Sequence, residues 1–367
     1  MPAQVLIWPS PWENHLKNGI FGEGFSLRGS FKRAYSLWRD SARLAGYELN
    51  TWDMLPLESA DVLWFTNLPR RKSEFDRARQ LAPGAKTVLQ IIESPVLSPA
   101  MFYPENQRRF DCIVTYDTTR SDNRRTFGYH LPTTVEPPKR NPPFEARRVL
   151  CMVNSNLMEG WMGMRQKGWE GLPGIGPFFS GWHVKPSDVA RPLRGQLYGA
   201  RRDLCRAAEA FAPPLMDIFG KGWNGEQISW CPLYRNRPYQ CFRKKFVEDK
   251  IAVLSDYRFN LAFENYRGSH GYIDIKIFDG FLSGSVPVYL GEERIAEFVP
   301  PAAFVDARNF ASHRELLLYL KSCPEPEWRA MREAGQNFLK SEAARPFSDE
   351  AFAERMVEVL KKVINCG

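Results

Sequence analysis

Short, continuously apolar runs recur along the chain: "QVLIW" (4–8), "ADVLWF" (60–65), "KTVLQII" (86–92), "DCIVTY" (111–116), "RVLCMV" (148–153), "LMDIFG" (215–220), "FNLAF" (259–263) and "SVPVYL" (285–290). A strand with one wet face alternates apolar and polar residues. A run without alternation predicts a strand buried on both faces, as in parallel α/β sheets. Helical patterns fall between several runs. "GSFKRAYSLWRDSARLAG" (29–46) puts Phe31, Ala34, Leu37, Trp38 and Ala42 on one side, with Gly46 just past its end. Four runs precede the proline-rich, basic stretch "EPPKRNPPFEARR" (136–148) and four follow it, so that stretch reads as a linker. The expected fold class is α/β, with two Rossmann-like, doubly wound domains facing a cleft. The first covers 1–140, the second 145–335, and a helical tail 336–367. Such sheets bind ligands beyond the carboxyl ends of their strands.

Composition narrows the class. The 367 residues are 44% hydrophobic and 25% charged, which suits a globular protein. The net charge of +8 favours an anionic partner. No apolar run is long enough to span a bilayer, and the N-terminus reads as a first strand, not a signal. Seven scattered cysteines without a C-x-x-C pair, and five isolated histidines, argue for reduced thiols, a cytoplasmic setting and no dedicated metal site. The stretch 171–195 is rich in Gly, Pro and aromatics and reads as an ordered lid or binding loop.

Polar residues collect just after the predicted strands: Glu93 in "QIIESP", Asn156 in "MVNSN", Lys221 in "FGKGW", and Glu264 and Asn265 in "AFEN". A helix follows Glu264. Asp274 suits its N-cap, which makes Ile275 and Lys276 its first two residues. A helix N-terminus presents unpaired N–H donors and attracts an anion, and Lys276 adds a full charge. Gly268 and Gly271 permit a close approach in the loop before it. A solvated surface lysine is the bland alternative for Lys276, and a solvated loop carboxylate that for Glu93.

"FNLAFENYRGSHGYIDIKIFDGFLSGSVPVYLG" (259–291) resembles the signature of the α-1,3/4-fucosyltransferases, glycosyltransferase family 10. "QIIESPVLSP", "DIFGKGW" and "AFVDARNF" are similar to further family segments. The likeness covers most of the chain but is weak before residue 60 and across 157–195. It implies a GT-B fold and inverting transfer of L-fucose from GDP-fucose to a sugar hydroxyl. By resemblance, Glu93 is the general base, Arg201 and Lys276 bind the donor pyrophosphate, and Asn265 and Tyr272 line the donor pocket. Glu264, Asp274, Asn156 and Lys221 complete the expected donor set. Independently, inverting transfer needs a base for the acceptor proton and positive groups for the departing diphosphate.

The family has Thr-Glu-Lys where this chain has Asp274-Ile275-Lys276. The isoleucine removes a carboxylate that contacts the donor in the family, and implies a hydrophobic wall. The expected partners are a GDP-sugar and a glycan or glycolipid acceptor, on a bacterial surface polysaccharide or its lipid-linked precursor. No cofactor is required, and a divalent ion at most stimulates. The expected place is the cytoplasm, with peripheral association at the inner membrane face. Competing readings are another nucleotide sugar, or a non-catalytic nucleotide-sugar-binding protein of the same fold. RNA binding through "RNRPYQCFRKKF" (235–246) lacks an accompanying motif, so no nucleic-acid partner is expected.

Overall fold

The computed structural model describes residues 2–9, 15–22, 31–136, 140–157, 180–185, 194–211, 213–226, 228 and 235–365. They build two six-stranded sheets in which every neighbouring pair is parallel. The first sheet runs β2-β1-β3-β4-β5-β6, from β1 (Ala3–Pro9), β2 (Tyr47–Thr51), β3 (Val62–Thr66), β4 (Lys86–Ile91), β5 (Cys112–Thr115) and β6 (Thr126–Gly128). The second runs β12-β11-β10-β7-β8-β9, from β7 (Arg148–Val153), β8 (Met216–Phe219), β9 (Phe242–Lys244), β10 (Tyr257–Phe263), β11 (Val286–Leu290) and β12 (Val305–Asp306). This is the GT-B arrangement of two Rossmann-like halves. All eight apolar runs are strands. The four additional strands, β2, β6, β9 and β12, are the four sheet edges.

Helices cover the sheets. In the first half these are α1 (Phe31–Leu44), α2 (Lys72–Leu81) and the single turn α3 (Pro104–Gln107). In the second they are α4 (Tyr198–Glu209), α5 (Lys250–Ser255), α6 (Ile275–Ser283), α7 (His313–Ser322) and α8 (Glu325–Leu339). The predicted face of α1 is realised, with Ala34, Trp38 and Ala42 fully buried and Gly46 at φ 88° ending it.

The residues after α8 do not form a separate tail. The last helix, α9 (Asp349–Asn365), returns to the first sheet. Its Phe352, Met356, Val359 and Leu360 belong to the same core as Tyr35, Trp38 and Trp64. An amphipathic helix needs an apolar surface to cover, and α1 offers one. The crossing is fixed by Thr133 N–H donating to the Phe347 carbonyl at 2.7 Å and by Thr134 Oγ1 donating to Asp349 Oδ2 at 2.8 Å.

The linker 136–148, of which 137–139 lie outside the described residues, is anchored by Arg147. Its guanidinium is buried and donates to the carbonyls of Pro142 and Gly284 at 2.9 and 3.0 Å. Of the predicted loop 171–195, residues 171–179 and 186–193 lie outside the described residues. Residues 180–185 dock on the first domain, where Trp182 Nε1 donates to the Pro69 carbonyl at 2.9 Å.

Candidate functional site

The carboxyl end of β4 meets the N-terminus of α6 across the domain boundary. Glu93 leaves β4 through a turn held by Asn67. The Asn67 side chain accepts the Ile92 and Glu93 N–H groups at 3.0 and 3.3 Å, from a backbone in the left-handed region (φ 64°). On the other side, Gly271 sits at φ 75°, and a Cβ there would lie 2.3 Å from the Tyr116 carbonyl oxygen. Only glycine allows the two backbones to come this close. The Tyr116 and Tyr272 rings pack over the same boundary, 5.1 Å between centroids.

Asp274 caps α6, accepting the Ile275 N–H at 2.8 Å. Lys276, nearly inaccessible, donates to Glu264 Oε2 at 2.9 Å and also contacts Asp274 Oδ2. Glu264 Oε1 accepts the Asp274 N–H at 2.9 Å. Glu264 is therefore fully buried with both oxygens engaged. Expected on the donor surface, it instead holds Lys276 and the start of α6, because a carboxylate at the end of a central strand must be paired when no water reaches it. Arg201 donates twice to the Phe263 carbonyl, at 3.2 and 2.6 Å, and through Nη2 to Asn265 Oδ1 at 2.8 Å. Its neighbour Arg202 turns away and donates to the Leu157 carbonyl at 2.7 Å. Asn265 Nδ2 donates in turn to Tyr272 Oη at 3.4 Å.

These charges set one another's protonation. Burial pushes Glu93 up to about 7, the Asp274 carboxylate adds to the rise, and Lys276 opposes it. Burial raises Glu264 too, against the pull of Lys276. Burial favours neutral Asp274 and neutral Lys276, but each counters it for the other. The result is a lowered carboxyl and a raised ammonium. Burial lowers Arg201 without neutralising it at neutral pH. Donor capacity remains. Lys276 has three N–H donors with two directed at carboxylates, and Arg201 has no partner on Nη1 among the described residues.

A cleft of about 1120 Å³ opens beside this cluster, between α1, the linker and the second sheet. It reaches α6 through Ile275 and Asp279, and of the predicted donor residues it is lined by Lys221 alone. Lys221 is exposed and stands 4.8 Å above the Phe246 ring. Asn156 is buried and structural: its N–H donates to the Lys221 carbonyl at 2.8 Å and its Nδ2 to the Gly222 carbonyl at 3.0 Å, which shapes the glycine turn. The first turn of α6 thus separates a buried charged cluster from an open cleft. Sequence reading missed Tyr116, Asn67 and Phe246. Only Asn67, a turn-forming residue just after an apolar run, left a local signal. Among the described residues no group of three or more His, Cys, Asp and Glu is placed to hold a metal ion. No helix among them is long and apolar enough to cross a membrane.

Residues 216–330 match the family described as glycosyltransferase family 10 (fucosyltransferase), C-terminal. The alpha-(1,3)-fucosyltransferase FucT of Helicobacter pylori is 39% identical over 75 residues, 20% of this chain and 16% of that protein. The alpha-(1,4)-fucosyltransferase of Arabidopsis thaliana is 34% identical over 96 residues, 25% of this chain and 24% of that protein. These matches therefore span less than a quarter of the relatives' own length. A solved α1,3-fucosyltransferase with GDP-fucose superposes with a TM-score of 0.53 at 16% identity, covering 99% of this chain and 90% of that one. Anabaena HepE in complex with UDP-glucose superposes with a TM-score of 0.52 at 12% identity, covering 98% and 100%. At such identities the likeness is one of fold.

Proposed function

With residues 216–330 belonging to glycosyltransferase family 10, we propose that the protein is an inverting glycosyltransferase that moves L-fucose from GDP-fucose to a hydroxyl of a glycan acceptor. The observation that carries this reading is the close approach of the two domains at Tyr116, Gly271 and Tyr272, which brings Glu93, from the first sheet, within electrostatic reach of Asp274 and Lys276 at the head of α6. The Glu93 carboxylate takes the proton of the acceptor hydroxyl. That oxygen bonds to the anomeric carbon from the face opposite the leaving group. The bond from the anomeric carbon to the phosphate oxygen breaks, and GDP departs with the electron pair. Arg201, Lys276 and the N–H groups of the first turn of α6 meet the charge that develops on the diphosphate. A base that titrates near neutral pH is suited to this proton transfer. Asn265 and Tyr272 position Arg201 and the sugar. Transfer requires no divalent ion, which at most stimulates it, and activity persists after chelation. The acceptor is a surface glycan or its lipid-linked precursor, met in the cytoplasm at the inner membrane face.

The test is incubation with GDP-fucose and a panel of glycan acceptors, with the product's anomeric configuration read by NMR. Transfer with inversion is the expected result. Failure to bind any nucleoside diphosphate, together with no transfer, overturns the reading. A second reading, a different nucleotide sugar on the same site, is favoured by Ile275, which presents a hydrocarbon to the cleft where the family has a glutamate. GDP-mannose and UDP-glucose in the same assay decide between the two.

A further inference from the structure

Past the end of β4 the chain has no strand to pair with. The ladder between β3 and β4 ends at Thr66 and Gln90, and that between β4 and β5 at Ile91 and Thr115. Glu93 lies beyond both. Among the described residues its carboxylate accepts no hydrogen bond, so the contacts that place it are those of its backbone. They come from matching positions on the two sides. Asn67 is the first residue past β3, and Tyr116 is the first past β5. Asn67 Oδ1 accepts the N–H groups of Ile92 and Glu93 at 3.0 and 3.3 Å, while the Asn67 N–H donates to the Gln90 carbonyl at 2.7 Å. Tyr116 Oη donates to the Glu93 carbonyl at 3.5 Å. The peptide groups before and after the Glu93 Cα are thus both held, one through its N–H and the other through its C=O.

We propose that Asn67 and Tyr116 are positioning residues for the base: their side chains continue the pairing of β4 after both neighbouring strands have ended, and so fix the Glu93 Cα at the domain boundary. This rests on the reading of Glu93 as the group that takes the acceptor proton.

Both residues are themselves packed in place. Asn67 is buried and sits at φ 64°, in the left-handed region that asparagine tolerates better than most residues. A turn that only reversed the chain could use glycine there without steric cost. What glycine cannot supply is the side-chain oxygen, and that oxygen takes both N–H groups at the base. Tyr116 is fully buried. Its ring lies against Tyr272, its carbonyl faces Gly271, and its hydroxyl is in hydrogen-bond contact with the Ser269 side chain. Phenylalanine would fill the same space, so the hydroxyl is the part that the Glu93 carbonyl requires. Proton transfer is sensitive to such placement, since a shift of about 1 Å in a reacting group can cost on the order of 10²-fold in rate. The two side chains grip the backbone of Glu93 in the first domain, whereas Arg201 and Lys276 belong to the second. Loss of the grip therefore acts on turnover and not on the diphosphate.

The experiment compares Asn67→Gly, Asn67→Asp and Tyr116→Phe with the full-length parent. Each is assayed below its own melting temperature, with the nucleotide sugar and panel acceptor that the parent uses fastest, and GDP binding is measured by calorimetry. Asn67→Gly keeps the backbone conformation and deletes the acceptor. It should lose roughly 10- to 100-fold in kcat and leave the GDP dissociation constant unchanged. Tyr116→Phe should show the same pattern at roughly 3- to 10-fold. Asn67→Asp restores an oxygen, tolerates the same φ, and should recover most of the lost turnover at high pH. The midpoint of its pH–rate profile should move upward, because a carboxylate beside Glu93 disfavours the ionised base. Parent-like kcat in both Asn67→Gly and Tyr116→Phe overturns the inference and leaves Glu93 as the base. Parallel losses of kcat and GDP affinity, or no recovery in Asn67→Asp, overturn it in favour of a purely structural turn. Near-normal turnover in Glu93→Gln, or no transfer by the parent from any nucleotide sugar, overturns the reading of the base and this inference with it.

Discussion

Glu93 and Glu264 each stand just past the end of a central strand, one in each sheet, and both feel the charges of Asp274 and Lys276. Their fates differ. Glu264 has a hydrogen-bond donor on each oxygen and no exposure. Glu93 is half-buried, and among the described residues its carboxylate accepts no hydrogen bond. Burial raises both groups. Only at Glu264 do direct hydrogen bonds to the charged form oppose that rise. The same residue type at the same topological place is thus consumed by structure in one domain and left free to exchange a proton in the other. Hydrogen-bond supply makes the difference between them.

Substitutions that treat the two carboxylates alike should separate them. The largest effect is expected in turnover. Glu93→Gln should keep the fold and GDP binding yet lose about 10²- to 10⁴-fold in transfer, measured with saturating donor. Near-normal turnover would remove Glu93 from the reaction. Glu264→Ala should act on stability instead, by about 3–5 kcal/mol in denaturant unfolding, because it strips a buried ammonium of one of its two partners. An unfolding midpoint close to the parent's would show that Asp274 alone suffices for Lys276.

A smaller effect is expected at the cation the two share. Lys276→Gln should weaken GDP by roughly 1.5–3 kcal/mol and guanosine by much less, since guanosine carries no phosphate. Equal losses for both ligands would confine Lys276 to its ion pairs. The pH dependence comes last. Glu93 is protonated below about 7, so transfer should climb as pH rises through that value, and the step should vanish in Glu93→Gln. Its effect on stability has the opposite sign. Because the folded value stands above the ordinary 4.5, the native state holds the proton more tightly than the unfolded chain. Glu93's contribution is whole below 4.5 and is lost as pH rises toward 7. Urea unfolding of Glu93→Gln should be flatter across that window than the parent's.

Eight strands were legible from the chain and four were not, and position in the sheet separates the groups. A central strand is buried on both faces and writes a continuous apolar run, as "VLWFT" does in β3. An edge strand carries polar residues or is very short. β2 reads "YELNT", β9 "FRK", and β12 is two residues long. Such segments resemble loops because natural edges avoid long apolar surface. The site followed the same logic. Residues at strand ends and the cap of α6 could be found locally. That Glu264 would be sealed by Lys276, or that Tyr116 would meet Tyr272, depends on how the domains approach, which no local pattern encodes. The return of α9 to the first sheet was hidden for the same reason: its amphipathic pattern says that it covers something, not what.

That return orders events during synthesis. The first sheet is complete in sequence by Gly128, but the helix that covers Tyr35 and Trp38 begins only at Asp349. A ribosome adding about 5–20 residues per second needs roughly 10–45 s to cross the roughly 220 residues between them. For that interval the nascent first half carries an aromatic face with nothing to cover it. The second half, whose strands and helices all lie within that interval, can therefore close its own core before the half that was made first.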